Sequence, residues 1–234
     1  MKSVLEQELL NLCRSQNRLC HYLETRLRNA VTAMSSHAPP LRLHWASCRS
    51  EARSWRDQTQ QECFRLLNEF HPNMESLKQI AAVLSSVTTL LKIAEITDQV
   101  EECGRQLSFI PDAVVPTALF PLTLEATQLL RSAFSASWYG RTSLTRELSA
   151  DASSIRDRLN HLLREMYGVL RDRRAPTDAL LPLHRVIHCL AGITDLAEDL
   201  LPGAIADANR VARGERRVTE ADVFSASTPR FSIF

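Results

Sequence analysis

LLKIAEITDQ at residues 90–99 and LAGITDLAED at residues 190–199 decide how this chain is built. Leu90, Ile93, Glu95 and Gln99 return as Leu190, Ile193, Asp195 and Asp199, each displaced by one hundred. Upstream, Glu51-Ala52 and Arg56-Asp57 return as Asp151-Ala152 and Arg156-Asp157 at the same displacement. Two separated segments matching at one offset exceed what helical composition produces by itself. They mark a tandem duplication, and a repeat governs the reading of everything around it.

Working outward, the apolar residues recur at helical spacing and only six of 234 residues are glycine, so an all-α fold is expected. Leu5, Leu9, Leu12, Leu19, Leu23, Leu27 and Val31 stripe a first helix from about Val4 to Met34. Residues Ser35 to Pro40 (SSHAPP) break it. A second helix is expected from about Leu43 to Phe70, ending at His71-Pro72 because the residue before proline is biased away from helix. A third begins near Asn73 or Ser76, runs to about Leu107, and is apolar on most faces over Ile80–Ile96, as befits a helix buried between two others.

Pro111, Pro116 and Pro121 set the boundary between halves. A fourth helix covers about Leu122 to Trp138, and Tyr139-Gly140 interrupts the chain before a fifth from Thr142 to about Leu170. The sixth opens at Thr177 or Asp178 and reaches about Ala212, kinked at Pro202-Gly203. The expected organisation is therefore two antiparallel three-helix bundles in tandem, 1–110 and 111–214, elongated because a helix of about 30 residues is about 45 Å long. Residues 215–234 lose the helical period and form a tail.

Composition removes several functions. With 28 basic and 27 acidic side chains there is no excess charge for nucleic acid or an anionic membrane. No apolar run approaches the roughly 20 residues of a membrane span, and acidic residues within MKSVLEQELLNLC argue against a secretory signal. Cys13, Cys20, Cys48, Cys63, Cys103 and Cys189 have no CxxC spacing and read as reduced core residues of a cytoplasmic protein. There is no HExxH, GxxxxGK[ST], GxGxxG or GxSxG motif, and no histidine has an acid three positions before it, as di-iron bundles require. Cys189 and His188, being adjacent on a helix, point to different faces and do not make a nucleophile–base pair. Nothing supports catalysis.

The polar residues of interest lie on the inner helices. His184, His188, Asp195 and Asp199 fall within an arc of roughly 60° on the sixth helix. On the third, the matching line is Leu91, Glu95 and Gln99, with Glu102 one turn on. Carboxylates four apart repel, so a line of them invites a cation, a basic partner or plain hydration. Glu51 with Asp57, and Asp151 with Asp157, can face these lines from the second and fifth helices, or pair with Arg53, Arg56 or Arg156. His184 and His188, one turn apart, can also share one metal.

Residues 61–102 resemble the PhoU family of phosphate-uptake regulators. The family's Gln-Pro-like turn is matched by His71-Pro72, its Ala-Ser-Asp-Leu-Arg-like helix start by Met74-Glu75-Ser76-Leu77-Lys78, and its Leu-Glu-Arg-Ile-Gly-Asp signature by Leu90-Leu91-Lys92-Ile93-Ala94-Glu95. The signature returns as Leu190-Ala191-Gly192-Ile193-Thr194-Asp195, followed by Asp199 and an Arg-Gly-Glu ending at 213–215. The resemblance implies two tandem three-helix bundles in a cytoplasmic negative regulator, homo-oligomeric, that links a phosphate ABC-transporter ATPase to a sensor histidine kinase by contact.

It also implies iron, manganese or magnesium on a Glu-xxx-Asp-xxx-Asp/Asn line. Here that line reads Leu91, Glu95, Gln99 and Ala191, Asp195, Asp199, with the leading glutamate missing twice, and Trp55 and Ile155 standing where the family often has an amide or acid. Pairing Asp98 with Asp195 on the shared Ile-Thr-Asp string breaks the constant displacement by three and is less favoured. The expectation is a weakened metal site at Asp195, Asp199 and Asp151, helped by His188, with the counterpart at Glu95, Gln99 and Glu51 largely lost. The degraded line keeps a second reading open: a PhoU-fold adaptor without a role in phosphate control.

Overall fold

The computed structural model describes residues 4–36, 47–110, 113–171 and 177–201. The break expected at Ser35–Pro40 begins later, since the first helix includes Ser35 and Ser36; its remainder at 37–40, the kink at Pro202-Gly203, the 213–215 ending and the 215–234 tail lie outside the described residues. The described residues form six α-helices: α1 (Val4–Ser36), α2 (Cys48–Phe70), α3 (Met74–Ser108), α4 (Leu119–Trp138), α5 (Thr145–Arg171) and α6 (Thr177–Asp199), with one 3-10 turn over Thr142–Leu144. There is no strand among them, and the fold is all-α.

Local chemistry sets the helix ends. His71 closes α2 in the left-handed region at φ 43°, and Pro72 behind it cannot continue the helix. Asn73 then caps α3, its side-chain oxygen accepting the Ser76 N–H at 2.9 Å. Helix α4 begins at Leu119 rather than at Leu122. Pro121 falls in its first turn, where N–H groups have no intrahelical acceptor and proline does no harm. Gly140, at φ 61°, turns the chain after α4 as Tyr139-Gly140 promised.

Helix α3 packs against α1 and α2, and α6 packs against α4 and α5. The halves meet where α3 lies against α6 and α1 against α4. Arg131 of α4 reaches Glu24 of α1 across that seam at 2.7 Å. Within the first half, buried Gln16 donates to the Val83 carbonyl at 2.7 Å and accepts from Ser86 at 2.9 Å, pinning α1 to α3.

The buried positions repeat at the displacement read from the sequence. On the inner helices Val83, Val87, Leu90, Ile93, Thr97 and Val100 are buried, and so are Leu183, Ile187, Leu190, Ile193, Ala197 and Leu200. Ala52, Thr59 and Leu66 of α2 match buried Ala152, Leu159 and Met166 of α5. Leu19, Leu23, Leu27, Ala30 and Met34 of α1 match buried Leu119, Thr123, Thr127, Leu130 and Phe134 of α4.

One apolar cluster nonetheless runs through all six helices. A smaller one lies between α1, α2 and α3, closed by Phe134 and Trp138 of α4. The halves therefore share a core. By length and composition α3 is apolar enough to cross a membrane. This corrects the expectation that no apolar stretch comes near that length; the packing of α3 against α1, α2 and α6 accounts for its composition.

All six cysteines are free and buried. Burial pushes the Cys20 and Cys48 thiols up to about 12 and those of Cys13, Cys63 and Cys189 up to about 11. The thiolate is the reactive form, so the native protein is expected to label slowly with a thiol reagent at pH 8, and all six sites to react on unfolding in denaturant. Prompt labelling of the native state would contradict the packing.

Candidate functional site

Each inner helix carries two acids three residues apart, turned toward the second helix of its own half. In the first half these are Glu95 and Asp98. Glu95 pairs with Arg49 at 2.9 Å. Asp98 accepts from the Ser47 hydroxyl at 2.5 Å and from the backbone N–H groups of Cys48 at 2.8 Å and Arg49 at 3.2 Å. It thereby caps α2, whose own Ser47 side chain makes no cap bond. A carboxylate on orphan N–H groups gains from the helix dipole as well.

In the second half the acids are Asp195 and Glu198. Arg156 of α5 binds both, Asp195 at 2.7 and 3.0 Å and Glu198 at 2.9 Å. The Ser149 hydroxyl donates to Glu198 at 2.5 Å. That hydroxyl first, and Arg156 second, hold the Glu198 carboxyl below the usual carboxylate range. The contact is therefore at full strength at neutral pH and is lost as pH falls through the lowered value.

Deeper in the first half, Glu101 forms a two-pronged bond with Arg26 at 2.6 and 2.7 Å, and Arg26 also donates to Tyr22 at 2.9 Å. Burial pushes the Glu101 carboxyl up and Arg26 opposes that push. Cys48, Asp98 and Glu101 are the one trio of histidine, cysteine or acidic side chains among the described residues whose donor atoms lie within 4.8 Å of one another. As they stand they suit a metal poorly. Asp98 is taken up by three donors, both Glu101 oxygens by Arg26, and the Cys48 thiol is protonated.

The expected ligand set Asp195, Asp199, Asp151 and His188 is not gathered by the same measure. Asp195 faces Arg156, while Asp151 and Asp199 are exposed. A guanidinium stands where the cation was expected, and the second acid it binds is Glu198, not Asp199. In the first half, Glu95 turns to Arg49 and Glu51 lies beside the Tyr22 hydroxyl. Gln99 faces the other way, accepting from the Cys189 thiol of α6 at 3.6 Å. Asp57 pairs with Arg56 at 2.8 Å. Ile155 is buried and Trp55 packs on the core with Arg18 over its ring, so neither position offers an oxygen.

Sequence reasoning missed Asp98 and Glu198 as partners. They stand one hundred apart and both are acidic, which was the available signal. Gln99 and Glu102 of α3 and His184, Arg185 and His188 of α6 line a cleft of about 830 Å³ along the seam between halves. Burial, then the neighbouring His188, lowers the His184 pKa.

The two kinds of ion pair differ in burial, and their removal should differ in cost. Arg26→Met leaves the Glu101 carboxylate, 8% exposed, without its counter-charge, and should cost about 3–5 kcal/mol. Adding Glu101→Gln should return much of that loss. Arg156→Ala removes a pair whose Asp195 side is 59% exposed, and should cost about 0–1 kcal/mol. Urea unfolding of the three variants checks the ranking; equal losses for the two arginines would refute it.

No family model and no curated protein sequence matches this chain. Among solved structures, it is similar to PhoU from Pseudomonas aeruginosa, with 17% identity and a TM-score of 0.56 over 89% of this chain and 99% of that one. The chain has a PhoU-like fold.

Proposed function

We propose that this chain is a PhoU-like regulator of phosphate uptake and phosphate-starvation signalling, acting in the cytoplasm by contact with a phosphate transporter's ATPase and a sensor histidine kinase. The observation that carries the reading is the structural likeness, which spans nearly the whole of a PhoU chain. The described residues add support of a different kind: Glu95, Asp98 and Asp195 are tied to arginines and helix N–H groups, an arrangement suited to holding a surface rather than to moving protons. On this reading the protein is not an enzyme.

The reassigned acids favour a second reading, a PhoU-fold adaptor that has left phosphate control. Both inner-helix lines lack the leading glutamate, and arginines occupy Glu95 and Asp195. Affinity capture of the full chain from its own cells, grown with and without phosphate, separates the two. Recovery of a transporter ATPase or histidine kinase under phosphate-replete growth is the expected result. Their consistent absence in both conditions would leave the adaptor reading.

A further inference from the structure

His184 and His188 stand one turn apart on α6, with their Nε2 atoms 3.1 Å from each other. Their ring centroids are 4.3 Å apart and the planes are inclined by 60°. With no ion present, this contact is a hydrogen bond in which one neutral ring donates its Nε2 proton to the other. The same separation suits two imidazoles bound to one ion. Metal–nitrogen bonds of about 2.0–2.1 Å to two atoms this far apart subtend an angle of about 95–100° at the metal. That lies between the octahedral and tetrahedral values, so the backbone of α6 need not move; the rings swivel from the hydrogen-bonded arrangement until both lone pairs aim at the ion. The two ring protons need only reside on Nδ1, leaving both Nε2 lone pairs free to coordinate.

The surroundings favour a borderline ion over a hard one. Gln99 and Glu102 of α3 line the same cleft, but Gln99 accepts from the Cys189 thiol and Glu102 is held by Arg105 and Gln106, so water would complete the coordination. Arg49 and Arg185 line it too and offset its carboxylates. Attraction must then come from nitrogen coordination and not from the local field. Imidazole suits zinc, nickel and copper, whereas magnesium and manganese prefer oxygen. The pair belongs to the second half alone: the positions one hundred earlier are Leu84 and Thr88. It is an addition to the repeated unit.

We propose that His184 and His188 chelate one ion of the zinc, nickel or copper class at the seam between the halves, at a site separate from Asp195 and Asp199. The site rests on the geometry of α6 and stands or falls independently of the regulatory reading.

The test is calorimetric titration of the untagged full chain with Ni²⁺, after chelator treatment, in the presence and absence of excess Mg²⁺. One Ni²⁺ per chain is expected, insensitive to Mg²⁺. Binding should weaken at least about tenfold in His184→Asn and in His188→Asn, and should persist in Asp195→Asn. Unfolding midpoints measured with chelator establish that the variants are folded; exposed His188 carries the test if His184→Asn is not. Three outcomes would overturn the proposal: no Ni²⁺ binding by the wild type, undiminished binding in folded His188→Asn, or loss of binding in Asp195→Asn.

Discussion

The back-to-back contact of α3 and α6 is the constraint from which the rest of the molecule follows. A helix that is apolar on one stripe needs one cover; these two are apolar on several sides and need more. The outer helices of each half cover two sides, and the opposing inner helix covers a third. Leu90, Ile93, Leu190 and Ile193 are at most 2% exposed, and burying each contributes about 1.5–3 kcal/mol. Separating the halves would expose part of that surface, together with the Glu24–Arg131 bond that crosses the seam. The two halves therefore share a common interior, and one apolar cluster runs through all six helices.

That architecture was legible because its cause is periodic. Apolar spacing locates a helix regardless of what covers it, and a fixed displacement carries the same burial demand from one half to the other. Leu90 and Leu190, Ala52 and Ala152, and Leu19 and Leu119 all obey it. Helix ends were legible where one residue dictates them, as at His71-Pro72, Asn73 and Gly140. The start of α4 was not. Proline bars a helix interior but is neutral within a first turn, and only the register of Leu119, Leu122 and Ala126 against the core fixes where that turn begins.

The acidic site was legible only in part, for a reason of geometry. Spacing identifies which side chains share a face of a helix but not which neighbour that face meets. Asp195 and Asp199 do lie along one line, yet α5 approaches so that Asp195 and Glu198 meet Arg156 while Asp199 stays in water. Matching arginines do not behave alike either. Arg156 crosses to the inner helix, whereas Arg56, its counterpart, folds back on Asp57 and leaves Glu95 to Arg49. A long, flexible cation can serve any acid within its reach, so its choice depends on backbone separations that no residue pattern encodes.

The same flexibility changes what the acids can do. Two carboxylates three apart on a helix repel unless a positive charge lies between them. A bound ion would supply that charge in proportion to its concentration. Arg156 supplies it through a covalent tether, and its own pKa is raised by Glu198 and Asp195, so it stays charged over the whole range in which those acids are ionised. An acid pair held this way has its repulsion relieved without an ion. Metal dependence, where this fold retains any, then has to enter through side chains not already bound to a guanidinium, and on the described part of α6 the histidines facing the seam are of that kind.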